Sequence, residues 1–131
     1  MKSKGYRSLI VYQKAFALAM KIFQITKNFP KSETYSLVDQ IRRSSRSVCS
    51  CVAEAYRKRQ YPAYFVNKCS DADGENSETI VWLEFSVASE FISQGEFDEL
   101  EQSAEEIGRM LNTMIEHPEK FLPKEKLQAV T

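Results

Sequence analysis

The sequence predicts an all-α protein, an antiparallel up-down-up-down four-helix bundle. Three observations lead there. Apolar residues recur at spacings of three and four along four stretches, breaks containing Pro or Gly separate those stretches, and no segment alternates as a strand does. The 131 residues, 43% hydrophobic and 27% charged, fit one globular domain rather than two. We expect a basic lead over residues 1–8, the bundle over 9–117 and a polar tail over 118–131.

The first helix carries two stripes side by side. Leu9, Tyr12, Phe16, Ala19, Phe23 and Thr26 form one; Val11, Ala15, Leu18, Ile22, Ile25 and Phe29 form the other. Together they are wider than one bundle core requires, which points to burial of the excess against another subunit or to a tightly wrapped monomer. Phe29-Pro30 ends this helix, because the residue before proline is pushed out of the α region.

Ser32-Glu33 reads as an N-cap with a first-turn acid, opening a second helix whose inward stripe is Val38, Ile41, Ser45, Val48, Val52 and Ala55. Small residues between Ser44 and Ala53 keep its middle slender, as a close packing seam requires. Tyr61-Pro62 starts a third helix, with Pro62 suited to the first turn. It is expected to continue to about Ile92, with Phe65, Cys69, Ala72, Asn76, Ile80, Leu83 and Val87 inward and a close helix contact at Gly74. Ser93–Glu96 reads as a tight connection with Gly95 as a left-handed C-cap. The fourth helix presents Phe97, Leu100, Ala104, Ile107, Leu111 and Met114 and ends at His117-Pro118.

Eighteen Lys and Arg balance eighteen Asp and Glu, but the balance hides a division. Through Gln60 there are thirteen basic residues against three acidic, a net of +10; from Tyr61 on there are five against fifteen, a net of −10. Two readings follow: the halves pair with each other, within or between subunits, or the basic half is a free polyanion-binding face.

Enzyme classes fail on inventory, so we expect a non-enzyme without cofactor or metal. One histidine, His117, cannot supply the two Glu-x-x-His pairs of a di-iron bundle. Cys49 and Cys51 on a helix point about 200° apart and do not chelate one zinc ion. Cys69 reads as core. The sequence has no glycine-rich phosphate loop and no Ser-His-Asp set. Glu75 and Glu78, one turn apart, are a candidate acid pair, or simply the partners of an arginine from a neighbouring helix.

Three cysteines suit a reducing compartment, the longest apolar run (Ala15–Met20) is far short of a membrane span, and no signal-peptide core follows the basic start; a cytoplasmic location is expected. Binding remains. Arg42, Arg43, Arg46, Arg57, Lys58 and Arg59 are the candidate phosphate contacts for RNA or DNA. Tyr56, Tyr61 and Tyr64 lie near the second basic cluster, suited either to stacking on unpaired bases or to capping the core.

Several segments carry a resemblance. They are Leu9–Ala15, Phe29-Pro30, Glu33–Leu37, Gln40–Val48 (Gln-Ile-Arg-Arg-Ser-Ser-Arg-Ser-Val), Cys51–Ala55, Tyr64-Phe65, Glu78-Thr79, Trp82-Leu83 and Met110-Leu111. In combination they resemble the four-helix bundle proteins encoded in 23S ribosomal RNA intervening sequences. Cys51 and Ala55 stand where that family usually has Asn and Gly. The resemblance implies a ring-like homo-oligomer, a homopentamer. It also implies kinship with the accessory variability determinant proteins of diversity-generating retroelements, whose partners are a reverse transcriptase and nucleic acid. Two functions are therefore expected: nucleic-acid binding through the basic half, or an assembly module whose basic and acidic helices pair between subunits.

Overall fold

The computed structural model describes residues 5–123. Four helices, α1 (Ile10–Thr26), α2 (Asp39–Arg57), α3 (Pro62–Ala88) and α4 (Gln94–Glu116), make up the fold, and no strand occurs among the described residues. The helices enclose one core. α2 and α3 share the largest contact, α3 packs on α4, and α1 fits against both α2 and α4. A narrow central void with no room for water is lined from all four helices, by Ala15, Leu18, Ser45, Asn76, Thr79 and Ile107 among others.

The two stripes of α1 have different fates. Val11, Ala15, Leu18 and Ile22 of the second stripe are buried, with Ala19 and Thr26 beside them. In the first stripe Phe16 remains 51% exposed, and nearby Met20 is also exposed. Three successive i→i−3 bonds, from the amides of Lys27, Asn28 and Phe29, tighten the chain after α1, so the helix ends before Phe29-Pro30.

The second helix does not start at Ser32 as expected. Lys31–Glu33 form a 3₁₀ turn and Thr34–Val38 a π turn, and α2 begins at Asp39. The capping group is the Glu33 carboxylate rather than the Ser32 hydroxyl: it accepts from the Leu37 amide at 3.4 Å and from Ser36 Oγ at 2.8 Å. From there the expected inward stripe of α2 is buried throughout. Ser44 Oγ lies 2.8 Å from Thr79 Oγ1, and Thr79 donates to the Glu75 carbonyl at 2.9 Å, which makes Ser44 the donor between the helices.

The buried face of α3 follows a strict four-three alternation: Phe65, Cys69, Ala72, Asn76, Thr79, Leu83 and Ser86. Thr79 and Ser86 thus take the places expected for Ile80 and Val87, which are only partly buried. Small side chains here admit α2 closely, and each hydroxyl is satisfied by a carbonyl one turn back. The expected contact at Gly74 is absent, since a Cβ there would meet nothing within 4 Å. The close approach falls at Gly108 of α4, where a Cβ would lie 3.4 Å from Asn76 Nδ2. That amide donates to the Ala104 carbonyl at 2.8 Å.

α3 ends at Ala88, short of Ile92, and the left-handed residue is Glu90 (φ 63°), not Gly95. The amide of Phe91 reaches the Ser86 carbonyl at 2.9 Å and that of Glu90 reaches Val87 at 3.0 Å, a Schellman closure. Gly95 sits in the first turn of α4, which opens with a capping box between Ser93 and Glu96. α4 buries the six residues expected and ends at His117. At the start of the expected tail, Pro118–Lys120 form a 3₁₀ turn and the Phe121 ring stacks on Phe65 at 5.7 Å. Residues 1–4 of the expected lead and 124–131 of the tail lie outside the described residues.

A left-handed backbone costs an L-residue about 1–2 kcal/mol and glycine far less. Glu90→Gly is therefore expected to stabilise the fold by about 1 kcal/mol, read as a higher midpoint in chemical denaturation at unchanged slope.

Candidate functional site

The six candidate phosphate contacts fall into two clusters on α2. Between Arg43 and Arg57 the helix rises about 21 Å, so they do not form one site.

In the first cluster two of three arginines are engaged inside the fold. Arg42 donates from Nε to Thr26 Oγ1 at 2.9 Å and from its terminal nitrogen to the Phe23 carbonyl at 3.3 Å. It thereby satisfies the end of α1 and sets a positive charge at that helix's C-terminus. Its guanidinium also lies 4.7 Å from the centre of the Phe23 ring, which Arg46 and Lys27 approach at 5.7 and 4.8 Å. Arg43 bridges to α3, meeting Glu75 at 3.2 Å and Glu78 at 2.7 Å. The hydrogen bond to Glu78, ahead of the other contributions, raises its pKa. Glu75 and Glu78 are thus the partners of an arginine, and Glu78 also accepts from Trp82 Nε1 at 3.3 Å. Arg46 remains exposed, in an open groove of about 700 Å³ shared with Thr34, Tyr35, Val38, Arg42 and Arg43.

The second cluster stands where α2 ends. Arg57 lies 5.8 Å from the centre of the Tyr6 ring, and Arg7 reaches the same ring at 4.9 Å. Arg59 lies 4.0 Å over the Tyr56 ring and donates to the Tyr56 carbonyl at 3.0 Å. Lys58 is the C-cap residue and is exposed. Tyr56 is partly buried, whereas Tyr61 and Tyr64 are exposed. Gly5, at φ 69°, turns the chain so that Tyr6 lies beside this cluster, with Tyr56 4.0 Å from the place of a Cβ.

Sequence reasoning missed Tyr6, which it assigned to the lead; the signal was a glycine directly before an aromatic–arginine pair. It also missed the 93% exposed Tyr35, which the π turn presents outward.

Three of the remaining ion pairs join the two halves of the sequence within the subunit. Lys14 meets Glu106 at 2.7 Å, Lys21 meets Glu99, and Lys68 meets Glu54 at 2.9 Å. Hydrogen bonds to these lysines lower the pKa of Glu99 and Glu106. The thiols are buried free cysteines; burial pushes Cys49 up to about 11 and Cys69 up to about 12. No group of three metal-ligating side chains occurs among the described residues, and no described helix is long and apolar enough to cross a membrane.

Fold and site together define an all-α protein of four helices joined by a few specific polar bonds between them. Residues 7–113 match the sequence model of the family described as 23S rRNA-intervening sequence protein, and the chain belongs to that family. Among solved structures it is similar to a crystal structure from Bacteroides thetaiotaomicron, a protein of unknown function in the S23 ribosomal protein family. The TM-score is 0.74 at 28% identity, covering 81% of this chain and 98% of that one. No curated protein matches.

Because Glu99 and Glu106 have lowered pKa values, their pairing stabilises the fold above the ordinary glutamate value of 4.5 and is lost as pH falls below it. Acid is expected to loosen the α1–α4 contact. The Lys14→Met/Lys21→Met variant should show a flatter fall in thermal midpoint between neutral and acid pH.

Proposed function

We propose that this protein is a non-enzymatic assembly module that joins copies of itself head to tail. The observation that carries this reading is a pair of outward apolar faces on different helices. Phe16 and Met20 sit one turn apart on α1, and Val81 and Phe85 sit one turn apart on α3, all exposed. α1 and α3 lie across the core from each other, so the two faces look in different directions. The groove beside Phe16 and Met20 is lined by Arg46 and Glu54, and Glu78 and Glu84 flank Val81 at three residues on either side. Two unlike apolar faces favour a heterologous contact, which closes into a ring where the rotation between copies allows it.

The four- and five-residue connections after α2 and α3 favour antiparallel neighbours, hence an up-down-up-down bundle. The sequence resemblance implies five copies. A catalytic role is disfavoured by chemistry: burial holds the thiols protonated, and His117 is exposed at a helix end beside Glu119. With Lys14, Lys21, Arg42 and Arg43 engaged inside the subunit, most of the cationic charge on α1 and the first half of α2 is compensated there.

The test uses two variants, Phe16→Glu and Phe85→Glu, with mass measured by light scattering. The wild-type chain is expected to be oligomeric and each variant monomeric with unchanged helicity. Mixed at equal concentration, the two variants should form a dimer and nothing larger, since each retains the face the other has lost. A monomeric wild type, or variants that retain the wild-type mass, would overturn the reading.

A further inference from the structure

We infer that the groove between the π turn before α2 and the end of α3 takes an arginine side chain from an adjoining copy, and that Arg46 supplies it. The inference rests on the assembly reading and names the cation that sets the register of its two faces.

The groove has a volume of about 470 Å³, and its walls include the rings of Tyr35, Trp82 and Phe85 and the carboxylate of Glu33. Tyr35 is almost wholly exposed and Phe85 more than half, and the Trp82 and Phe85 ring centres lie 5.9 Å apart. Glu78 accepts from Trp82 Nε1 at 3.3 Å, which holds the indole in one orientation. None of the lining residues is Lys or Arg. Both hydrogen bonds that Glu33 accepts among the described residues fall on Oε1, which leaves Oε2 for a further donor. Aromatic faces with a carboxylate beside them attract a cation, and a planar guanidinium can stack and donate at once.

Elsewhere the chain fills such rings itself. All six cation–ring contacts among the described residues fall on Tyr6, Phe23 and Tyr56. Tyr35, Trp82 and Phe85 hold none, although indole is the strongest cation acceptor of the ring types present. The surplus cation lies on the other face. Phe23 carries three, Arg42 at 4.7 Å, Lys27 at 4.8 Å and Arg46 at 5.7 Å, and like charges on one ring repel. Arg46 is the farthest of them and has no carboxylate partner among the described residues. It lines the groove beside Phe16 and Met20, where the other charged residue, Glu54, is engaged by Lys68 at 2.9 Å. Lys14 and Lys21 of α1 are likewise taken, by Glu106 and Glu99. A copy that seats Phe16 and Met20 on Val81 and Phe85 therefore carries Arg46 towards Trp82, the residue next to Val81.

The experiment uses the two monomeric variants of the assembly test. Phe16→Glu keeps the α3 face with its aromatic groove, Phe85→Glu keeps the α1 face with its Arg46, and the dissociation constant of their mixed dimer is measured by sedimentation. Arg46→Gln added to the Phe85→Glu chain should weaken the dimer about tenfold. Added to the Phe16→Glu chain, it should change the constant less than about twofold. Arg46→Lys in the Phe85→Glu chain should recover part of the loss, because the charge is kept and the planar stack is not. Tyr35→Ala should show the reverse asymmetry, with a loss of about threefold or more in the Phe16→Glu chain alone. A dimer weakened equally by Arg46→Gln in either chain, or by neither, overturns this inference and leaves the assembly reading standing. A monomeric wild type overturns both. Trp82 is the single tryptophan, so its emission in the Phe16→Glu monomer reports the groove directly. An emission change on adding argininamide, together with a dimer indifferent to Arg46, would give the groove to a basic segment of another protein and overturn the assignment to Arg46.

Discussion

The slender middle of α2 is the constraint on which the other helices depend. Ser44, Ser45, Val48 and Val52 are buried there, and their size sets how closely α3 approaches. A close approach brings backbone and hydroxyl groups out of water together, and each then needs a partner. The Ser44–Thr79–Glu75 carbonyl chain supplies one set, and the Asn76 amide on the Ala104 carbonyl supplies the equivalent between α3 and α4. Every buried side-chain nitrogen and oxygen among the described residues has a partner. A core so arranged resists sliding, because a shift of α3 against α2 or α4 would break a buried bond on that side.

The same closeness determines what the charges do. With α2 seated against α3, Arg43 falls between Glu75 and Glu78, and with α1 against α2, Arg42 falls on the end of α1. Among the described residues, Lys14, Lys21 and Arg43 of the basic half thus meet carboxylates of the acidic half across internal helix contacts. Exposed pairs of this kind contribute little to stability. Their larger effect is on orientation: a different order of helices around the core would set like charges side by side.

Much of this was legible in the sequence, and the reason differs by element. The inward faces of α2 and α4 could be read because an amphipathic helix records its buried side as a period. The buried face of α3 was misplaced by one residue at Thr79 and Ser86, since hydropathy favours Ile80 and Val87, whereas packing against a slender neighbour favours small hydroxyl residues. The left-handed residue was assigned to Gly95 on propensity; the Schellman bonds place it at Glu90, where tertiary context overrides the preference. The close approach assigned to Gly74 falls at Gly108 because closeness depends on what faces a glycine, and Asn76 is the facing residue. Of the six candidate arginines and lysines, sequence could supply the list but not the division. Whether a cation is engaged or free depends on which carboxylate or carbonyl lies opposite it, and that is tertiary information.

The division separates two kinds of surface that one chain can use together. The apolar pairs on α1 and α3 are single turns of helix, and each copy carries both faces. The cationic end lies apart from the Phe85 face along α3, whose 27 residues span about 40 Å between Pro62 and Ala88. The α1 face is closer to it: Tyr6, on which Arg7 and Arg57 sit, lines the same groove as Phe16 and Met20. A contact seated on the α1 face would therefore change the surroundings of the cationic end, since the two share the Tyr6 ring.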